Sequence, residues 1–435
     1  MPAPTYSASA GWTAPTASRP LSAVVTLPGS KSLTNRELVL SALAEGPSLL
    51  RRPLEARDTE LMVAALVRLG AGIERTAEGD LRVIPARVRG GVDIDCGLAG
   101  TLMRFLPPLA LLADGPVRFD GDERARERPM AATIASLRAL GASVDDDGRG
   151  ALPFSVTPGA ATGGRVVLDA SASSQFVSGL LLMGARLPGG LEVEHRGGPL
   201  PSLPHIAMTA ETLRRRGVDV EQPSATAWRV PAHPVAGREV AIEPDLSNAA
   251  PFLAAALVAG GSVAVPGWPE RTTQVGARLL DWLPAFGAAV RRDGDALVVD
   301  GGPGATARPL RPVDLDLSAG GELAPTLVGL AAFAGGRSTF TGIGHLRGHE
   351  TDRLAGLAAE LTAVGARAEE TADGLVVTPG PLHAGDRPWR AYADHRMATT
   401  GALLGLAVDG LVVDDIGSTA KTLPDFPERW RRMLG

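Results

Sequence analysis

The stretch APFLAAALVAGGSVAVPG, residues 250–267, joins an apolar segment of small side chains to a glycine pair and a β-branched run. Alanine and leucine favour a helix, whereas valine-rich runs favour a strand. Gly260 stands where helices commonly end on a left-handed residue. The stretch therefore predicts a closely packed helix that ends at Gly260 and leads into a short strand.

This helix–glycine–strand pattern recurs along the chain at an interval of roughly 70 residues, which indicates an internal repeat. Its terminating glycines are Gly46, Gly115, Gly189, Gly260, Gly335 and Gly410. A second pattern interleaves with the first and consists of an amphipathic helix, a glycine and a strand with a turn. Its glycines are Gly70, Gly141, Gly217, Gly287, Gly365 and the terminal Gly435. The two series predict six α/β units, each with two helices and several short strands.

A chain of 435 residues is too long for one ordinary core, and six units divide naturally into two domains of three. The strands of the last unit are missing at the C-terminus, so residues 21–29 (LSAVVTLPG) are predicted to supply one of them. We expect a discontinuous domain of residues 1–29 and 245–435, closed by the N-terminal strand, and an inserted domain of residues 30–244. A single doubly wound sheet, the alternative, predicts neither glycine period.

The composition excludes several classes of protein. A net charge of −5 disfavours broad electrostatic binding of nucleic acid. The single cysteine, Cys96, excludes an internal disulfide framework and a cysteine-based zinc site, and it suits a cytoplasmic location. Apolar runs are broken by glycine or proline and are too short for a membrane span. Residues 1–20 lack the features of a secretory signal and are expected to form a flexible or loosely docked tail.

A polar cluster stands immediately before each of the six small-residue helices. The clusters read GSKSLTNR, GLAGTLMR, SASSQF, PDLSNAA, SAGGELAPT and ADHRMATT. Serine and aspartate at a helix start are ordinary caps, but the helix dipole disfavours cations there. Three clusters nevertheless contain cations, at Lys31, Arg36, Arg104 and Arg396. Their presence implies a bound anion that offsets the repulsion.

The first cluster is not an ATP-binding P-loop, because Ser30 separates Gly29 from Lys31. Its backbone N–H groups, serines and lysine still favour an anion. Three further loops carry cations: GDERARERP, LRGHETDR and STAKTLPDFP. Arginine binds phosphate and carboxylate through two parallel hydrogen bonds, whereas lysine acts as a point charge. We therefore expect small, multiply anionic ligands in a cleft between the two domains.

Seven motifs carry a resemblance to a known family: PGSKSLTNR, AGTLMRF, DERARERP, SSQF, LRGHETDR, DHRMA and KTLPDFP. In order and over residues 28–427, they resemble the EPSP synthase (3-phosphoshikimate 1-carboxyvinyltransferase) family of enolpyruvyl transferases. The resemblance implies an inside-out α/β fold of two similar domains, each with three βαβαββ units. It also implies transfer of the enolpyruvyl group of phosphoenolpyruvate to the 5-hydroxyl of shikimate 3-phosphate, in aromatic amino acid biosynthesis, at a site where glyphosate competes.

By this resemblance, the residues that hold shikimate 3-phosphate are Lys31, Ser32, Arg36, Ser173, Ser174, Gln175, Ser202, Glu322 and His349. Those that hold phosphoenolpyruvate are Lys31, Gly100, Arg104, Arg124, Gln175, Arg353, Arg396 and Lys421. Glu322 is implied as the base at the acceptor hydroxyl, Glu350 as the group that exchanges a proton at carbon 3, and Lys31 as their assistant. No metal or cofactor is implied, because arginine and lysine neutralise the anions, and a monomer is expected.

The chain departs from the common pattern of that family at three positions. Glu322 stands where aspartate is frequent, and its extra methylene changes the reach of the base. His349 replaces a frequent lysine, which exchanges a permanent charge for one that titrates near neutrality. His205 stands where tyrosine is common.

Three other functions compete with this interpretation. UDP-N-acetylglucosamine 1-carboxyvinyltransferase, which shares the fold and donor, typically has asparagine after the anchoring lysine and a reactive cysteine on a loop. Here Ser32 follows Lys31, and Cys96 precedes a repeat helix. A catalytically silent anion-binding relative has no need of two acidic groups such as Glu322 and Glu350. A nucleotide-dependent kinase is disfavoured because the P-loop is missing.

Overall fold

The computed structural model describes residues 11–435. Within this range the chain forms two compact units: residues 11–28 with Glu243–Gly435, and Gly29–Ile242. We call the first the discontinuous unit and the second the inserted unit. Each has a hydrophobic core of its own.

The helices and strands of the described chain are short and alternate throughout. The α-helices are α1 (Lys31–Ala42), α2 (Arg57–Arg68), α3 (Gly100–Phe105), α4 (Ala131–Ala139), α5 (Gln175–Gly184), α6 (Leu203–Arg214), α7 (Leu246–Ala259), α8 (Leu279–Phe286), α9 (Ala324–Ala331), α10 (Arg353–Ala363), α11 (His395–Gly405) and α12 (Phe426–Leu434). The strands are β1 (Trp12–Thr13), β2 (Leu21–Val24), β3 (Ser48–Arg51), β4 (Gly72–Arg75), β5 (Leu81–Ile84), β6 (Val92–Asp95), β7 (Val117–Asp120), β8 (Ser143–Asp145), β9 (Phe154–Thr157), β10 (Gly164–Leu168), β11 (Leu191–His195), β12 (Glu221–Ser224), β13 (Ala227–Val230), β14 (Glu239–Ala241), β15 (Gly261–Val265), β16 (Ala289–Asp293), β17 (Ala296–Asp300), β18 (Asp314–Asp316), β19 (Ser338–Thr341), β20 (Arg367–Glu370), β21 (Leu375–Thr378) and β22 (Val412–Val413).

Four-stranded sheets of the described chain repeat one order, in which a parallel pair is followed by two antiparallel neighbours. The sheets are β14-β3-β5-β4, β6-β7-β9-β8, β10-β11-β13-β12, β2-β15-β17-β16 and β18-β19-β21-β20. In three of them a buried helix joins the parallel strands, as in β18–α9–β19. Parallel neighbours need such a crossover, which explains why the helices α3, α5 and α9 each lead into a strand.

Three helices in each unit are buried along most of their length: α1, α3 and α5 in the inserted unit, and α7, α9 and α11 in the discontinuous unit. Small residues allow their close approach. A β-carbon on Gly179 of α5 would lie 2.1 Å from the carbonyl oxygen of Arg104 in α3. Each unit therefore has a helical interior with sheets outside it, the inside-out arrangement that the family resemblance implies.

Residues 21–29 do not complete the last unit, so that prediction is wrong. Their strand β2 pairs in parallel with β15, with Leu21 opposite Gly261. Gly261 permits this pairing, because a β-carbon there would lie 2.1 Å from the carbonyl oxygen of Leu21. Strand β14, which precedes α7 along the chain, lies beside β3 instead. Both β2 and β14 thus complete sheets whose other strands are distant in sequence.

The last unit is completed by part of the predicted tail. Strand β1 pairs antiparallel with β22, and Trp389 forms a parallel bridge to Val413 in the same strand. Trp12 is 4% exposed, and the backbone N–H of Ala14 donates to the carbonyl oxygen of Leu411 at 2.9 Å. Residues 11–17 are therefore docked rather than loose. The first ten residues of the predicted tail lie outside the described residues.

The two glycine series meet different backbone needs. Every glycine of the second series has a positive φ, and Gly287 (φ 111°) closes the end of α8 through its N–H group. In the first series, only Gly260 and Gly410 have a positive φ. The prediction that a helix ends on a glycine of positive φ is thus confirmed at Gly260, which caps α7, and is wrong for the rest of the series, because α11 ends at Gly405, before Gly410.

Candidate functional site

In the inserted unit, the first turns of the three buried helices lie side by side. The side-chain amide of Asn35 in α1 donates to the hydroxyl of Thr101 in α3 at 2.7 Å. A β-carbon on Gly100 would lie 3.1 Å from the side-chain oxygen of Gln175, which begins α5. The polar motifs of all three helices therefore share one cluster.

Lys31 and Arg36 occupy different environments in this cluster. The Nζ atom of Lys31 lies 3.3 Å from a carboxylate oxygen of the buried Asp58, and the lysine side chain keeps partial exposure. Arg36 is buried and donates to the hydroxyl of Thr209 at 2.8 Å and to the carbonyl oxygens of Ser32 (2.9 Å) and His205 (3.0 Å). Arg36 thereby links α1 to α6, so its charge lies behind the Lys31–Ser32 turn.

Three of the serines predicted to hold shikimate 3-phosphate lie at the starts of α5 and α6. Ser173 accepts a hydrogen bond from the backbone N–H of Gln175 at 3.2 Å, and Ser174 is buried at the cap of α5. Ser202, at the cap of α6, has a left-handed backbone with φ 51°. Residues with a side chain persist in this conformation only where their surroundings hold it, and functional sites are common among such places.

The loop GDERARERP brings an arginine to Gly100 that the sequence analysis did not single out. A β-carbon on Gly100 would lie 3.2 Å and 3.3 Å from two guanidinium nitrogens of Arg128, which is buried. Arg124, the predicted residue, has a side chain that is 51% exposed and pairs with Glu127 at 2.8 Å. The proline after Arg128 favours the extended backbone seen at that residue (φ −80°, ψ 136°). This proline was the feature of the sequence that could have drawn attention to Arg128.

Arg104 is the second buried cation of this region. Its guanidinium stands 5.5 Å above the ring of Phe176 in α5, and it donates to the carbonyl oxygen of Pro129 at 3.4 Å. Arginine is less strongly hydrated than lysine, so it suits a buried position over an aromatic ring. Of the predicted cations of the inserted unit, Lys31 therefore stands at a helix start, whereas Arg104 lies in the last turn of the short helix α3.

In the discontinuous unit, the starts of α7 and α11 and the turn before α9 meet in the same way. The hydroxyl of Ser247 donates to the carboxylate of Glu322 at 2.5 Å. Arg396 donates to the carbonyl oxygen of Ser247 at 2.7 Å. Glu322 lies in a short 3-10 turn, Gly321–Leu323, that leads into α9. Glu322, the predicted base, and Arg396, which is predicted to bind phosphoenolpyruvate, therefore both contact Ser247.

A buried ion network lies beside this group. Glu350 contacts Lys421 at 2.6 Å and Arg353 at 3.1 Å, and all three side chains are largely buried. Arg353 also donates to both carboxylate oxygens of Asp394, at 2.8 Å and 3.2 Å. Burial opposes the charge of Arg353, but Asp394 and Glu350 outweigh it, so its pKa is raised and the guanidinium stays charged.

Asp394 is a functional candidate that the sequence analysis missed, although the motif DHRMA contains it. Its carboxylate is fully buried, caps α11 by accepting from the backbone N–H of Arg396 at 2.8 Å, and binds Arg353. An N-cap role was predictable from residue type, but the ion pair joins residues that are distant in sequence. His349 extends the network, with its Nδ1 atom 3.4 Å from a nitrogen of Arg353.

The fold has known counterparts among enolpyruvyl transferases. The chain superimposes on EPSP synthase from Acinetobacter baumannii with a TM-score of 0.77 and 24% identity, covering 96% of this chain and 97% of that one. It superimposes on the enolpyruvyl transferase NikO from Streptomyces tendae with a TM-score of 0.74 and 20% identity, covering 96% of each. The architecture is therefore the enolpyruvyl transferase fold, which confirms the predicted fold class.

The sequence carries the comparison further. Residues 15–430 match the model of the EPSP synthase (3-phosphoshikimate 1-carboxyvinyltransferase) family. Over 428 residues, 96% of this chain and 94% of the other, the sequence is 53% identical to a 3-phosphoshikimate 1-carboxyvinyltransferase of Kocuria rhizophila. The chain belongs to the EPSP synthase family and is a transferase (EC 2.5.1.19) of the shikimate pathway. The family uses phosphoenolpyruvate and shikimate 3-phosphate as substrates.

Proposed function

We propose that the chain transfers the enolpyruvyl group of phosphoenolpyruvate to the 5-hydroxyl of shikimate 3-phosphate through a tetrahedral intermediate, and that residues of both units contact the ligands. The main support is the buried contact of Glu350 with Arg353 and Lys421. This contact supports the proposal because a carboxylate that could exchange a proton lies beside two cations of the types that bind a carboxylate and a phosphate. A cytoplasmic monomer is part of the proposal. No helix of residues 11–435 is long and apolar enough to cross a membrane.

Shikimate 3-phosphate is assigned mainly to the inserted unit. Lys31, Ser32, Ser173, Ser174, Gln175 and Ser202 supply donors at helix starts, where N–H groups and partial positive charge favour a phosphate. Arg36 supports Ser32 from behind through the hydrogen bond to its carbonyl oxygen. Glu322 and His349 complete the proposed set from the discontinuous unit.

Phosphoenolpyruvate is assigned to cations of both units. Arg353 and Arg396 take its carboxylate and Lys421 its phosphate, while Lys31, Gly100, Arg104 and Gln175 contribute from the inserted unit. We assign Arg128 the role that the resemblance gives to Arg124, because Arg128 is the buried arginine beside Gly100. Since Glu350 contacts Arg353 and Lys421, the anions must compete with its carboxylate for both cations.

The chemistry requires one proton to leave and another to arrive. Glu322 removes the proton of the 5-hydroxyl as that oxygen attacks carbon 2, and Glu350 delivers a proton to carbon 3, with Lys31 assisting. A C–O bond and a C–H bond form as the double bond is consumed. Carbon 3 then returns a proton to Glu350, the C–O bond to phosphate breaks, the double bond returns, and the departing phosphate carries away the proton that Glu322 had taken. Overall, atoms and charge balance with phosphate as the leaving group.

The rival acceptor is not favoured. Cys96 is buried, and burial raises the pKa of its thiol, so it lacks the thiolate character of a reactive loop cysteine.

The test is phosphate release from phosphoenolpyruvate by the purified protein without added metal, with shikimate 3-phosphate or UDP-N-acetylglucosamine as acceptor. Release with the first alone supports the proposal. The variants Glu322→Gln and Glu350→Gln should each lower kcat by about 10²–10⁴-fold, the usual contribution of a general acid or base. Glu369→Gln, which changes an exposed glutamate, is the matched control and should leave kcat unaltered. Full activity in either active-site variant would overturn the acid–base assignment.

A further inference from the structure

The two residues before Asp394 have an unusual backbone conformation. Tyr392 (φ 55°) and Ala393 (φ 53°) are both left-handed, and within residues 11–435 they are the only adjacent pair of non-glycine residues with positive φ. Residues with a β-carbon disfavour this region and remain there only where surrounding contacts impose it. The turn immediately before α11 is therefore held by something outside itself.

A buried carboxylate on α10 provides that hold. Glu360, whose side chain is 1% exposed, accepts hydrogen bonds from the hydroxyl of Tyr392 at 2.7 Å and from the backbone N–H of Arg390 at 3.1 Å. It also accepts from two guanidinium nitrogens of Arg387, at 2.5 Å and 2.9 Å. Burial and Glu360 both raise the pKa of Tyr392, so the phenol keeps the proton that it donates. Four donors thus converge on one carboxylate.

The held turn leads directly to Asp394. The N–H group of Asp394 donates to the carbonyl oxygen of Ala391 at 2.9 Å, which closes the turn. Asp394 then binds the guanidinium of Arg353 and the backbone N–H of Arg396. A displacement of this carboxylate would therefore alter both arginines together.

Helix α10 contacts this segment at two points. Arg353 begins the helix and contacts Asp394, while Glu360 lies seven residues later, two turns along the same face, and contacts the residues before it. The segment 387–394 is thus fixed to one rigid element on both sides of the left-handed turn.

We infer that Glu360 is a positioning residue for enolpyruvyl transfer: its hydrogen bonds to the segment 387–392 maintain the left-handed turn, so that Asp394 holds Arg353 and Arg396 in place for the phosphoenolpyruvate carboxylate. This inference rests on the proposed assignment of those two arginines. It predicts that damage to the Glu360 contacts weakens the use of phosphoenolpyruvate selectively, while shikimate 3-phosphate binding in its absence stays intact.

The experiment compares Glu360→Gln, Tyr392→Phe and the exposed control Glu369→Gln. Loss of a hydrogen bond to a charged group corresponds to about a tenfold change or more. We therefore expect Glu360→Gln to raise the KM for phosphoenolpyruvate at least tenfold, and Tyr392→Phe to raise it less. Calorimetric binding of shikimate 3-phosphate alone should change less than about twofold by the same reasoning. Tyr392→Phe removes only a hydroxyl and provides the test if Glu360→Gln fails to fold.

A glycine rescue separates positioning from simple loss of stability. Ala393 is exposed, so Ala393→Gly creates no cavity and removes the penalty for positive φ. In the Glu360→Gln background it should recover a large part of the lost KM, and in the wild type it should leave activity unaltered. A lowered melting temperature with an unchanged KM for phosphoenolpyruvate in both Glu360→Gln and Tyr392→Phe would overturn the inference.

The outcome is distinguishable from a failure of the proposed function. Arg396→Gln should raise the KM for phosphoenolpyruvate in the same assay. If it does, and Glu360→Gln and Tyr392→Phe do not, the positioning role is wrong while the arginine assignment stands. If Arg396→Gln leaves this KM unaltered, the arginine assignment itself is overturned.

Discussion

The loop GDERARERP offers a matched comparison of two arginines, Arg124 and Arg128. We predict that Arg128→Lys impairs the use of phosphoenolpyruvate and that Arg124→Lys does not. The lysine keeps the positive charge in both variants and removes only the planar guanidinium. Arg128 is buried beside Gly100, whereas Arg124 is about half exposed and pairs with an exposed glutamate.

The magnitude follows from those environments. A hydrogen bond to a charged group contributes about 1.5–3 kcal/mol, which corresponds to a change in KM of about tenfold to about 150-fold. An exposed ion pair such as that of Arg124 with Glu127 contributes about 0–1 kcal/mol, and it does so to stability rather than to ligand binding. Arg128→Lys should therefore raise the KM for phosphoenolpyruvate at least tenfold, and Arg124→Lys should leave it within about twofold.

The assay is phosphate release at varied phosphoenolpyruvate and saturating shikimate 3-phosphate. Thermal unfolding of both variants controls for loss of folded protein, because Arg128 also donates to the carbonyl oxygen of Leu98 at 3.3 Å. A raised KM in Arg124→Lys together with an unaltered KM in Arg128→Lys would refute the reasoning from burial. Equal KM values in all three proteins would refute the assignment of either arginine.

Three further predictions concern other parts of the chain. Gly100→Ala should raise the KM for phosphoenolpyruvate, because the new β-carbon would press on Gln175 and Arg128. The free energy of unfolding should change by less than about 1 kcal/mol, since both contacts are the ends of flexible side chains. A loss of stability at unaltered KM would contradict this prediction. Trp12→Ala should destabilise the protein by about 3–5 kcal/mol in denaturant unfolding, as for other buried aromatics, whereas an unaltered midpoint would mean that β1 is dispensable. Cys96 should resist iodoacetamide in the native protein and react after unfolding, because burial raises the pKa of its thiol. Mass spectrometry measures the labelling, and rapid labelling of the native protein would contradict the burial of Cys96.

Much of the architecture follows from local pattern. The helix before Gly260 and the strand after it lie where APFLAAALVAGGSVAVPG predicts them, because residue type and glycine position act over a few neighbouring residues. The same holds for the polar helix starts, since caps and helix dipoles are local properties. Because the same local pattern recurs along the chain, it predicts six similar α/β units and therefore the fold class.

Strand pairing could not be derived in this way. Residues 21–24 have the composition of a strand in any sheet, and only the tertiary fold pairs them with Gly261–Val265 rather than with the last unit. The docking of Trp12–Thr13 on Val412–Val413 joins opposite ends of the chain. No local propensity encodes a partner some 400 residues away, because pairing depends on which strands the tertiary fold brings side by side.

The features of the candidate site also divide into those predicted from the sequence and those that only the tertiary structure shows. The amino-acid sequence predicted anion binding from its charge pattern, and the resemblance of its motifs to a known family implied a transferase with acidic groups at Glu322 and Glu350. Burial distinguished Arg128 from Arg124, and long-range contacts revealed Asp394 and Glu360. These depend on packing between distant segments, which sets the solvation and partners of a charge and therefore what that charge does.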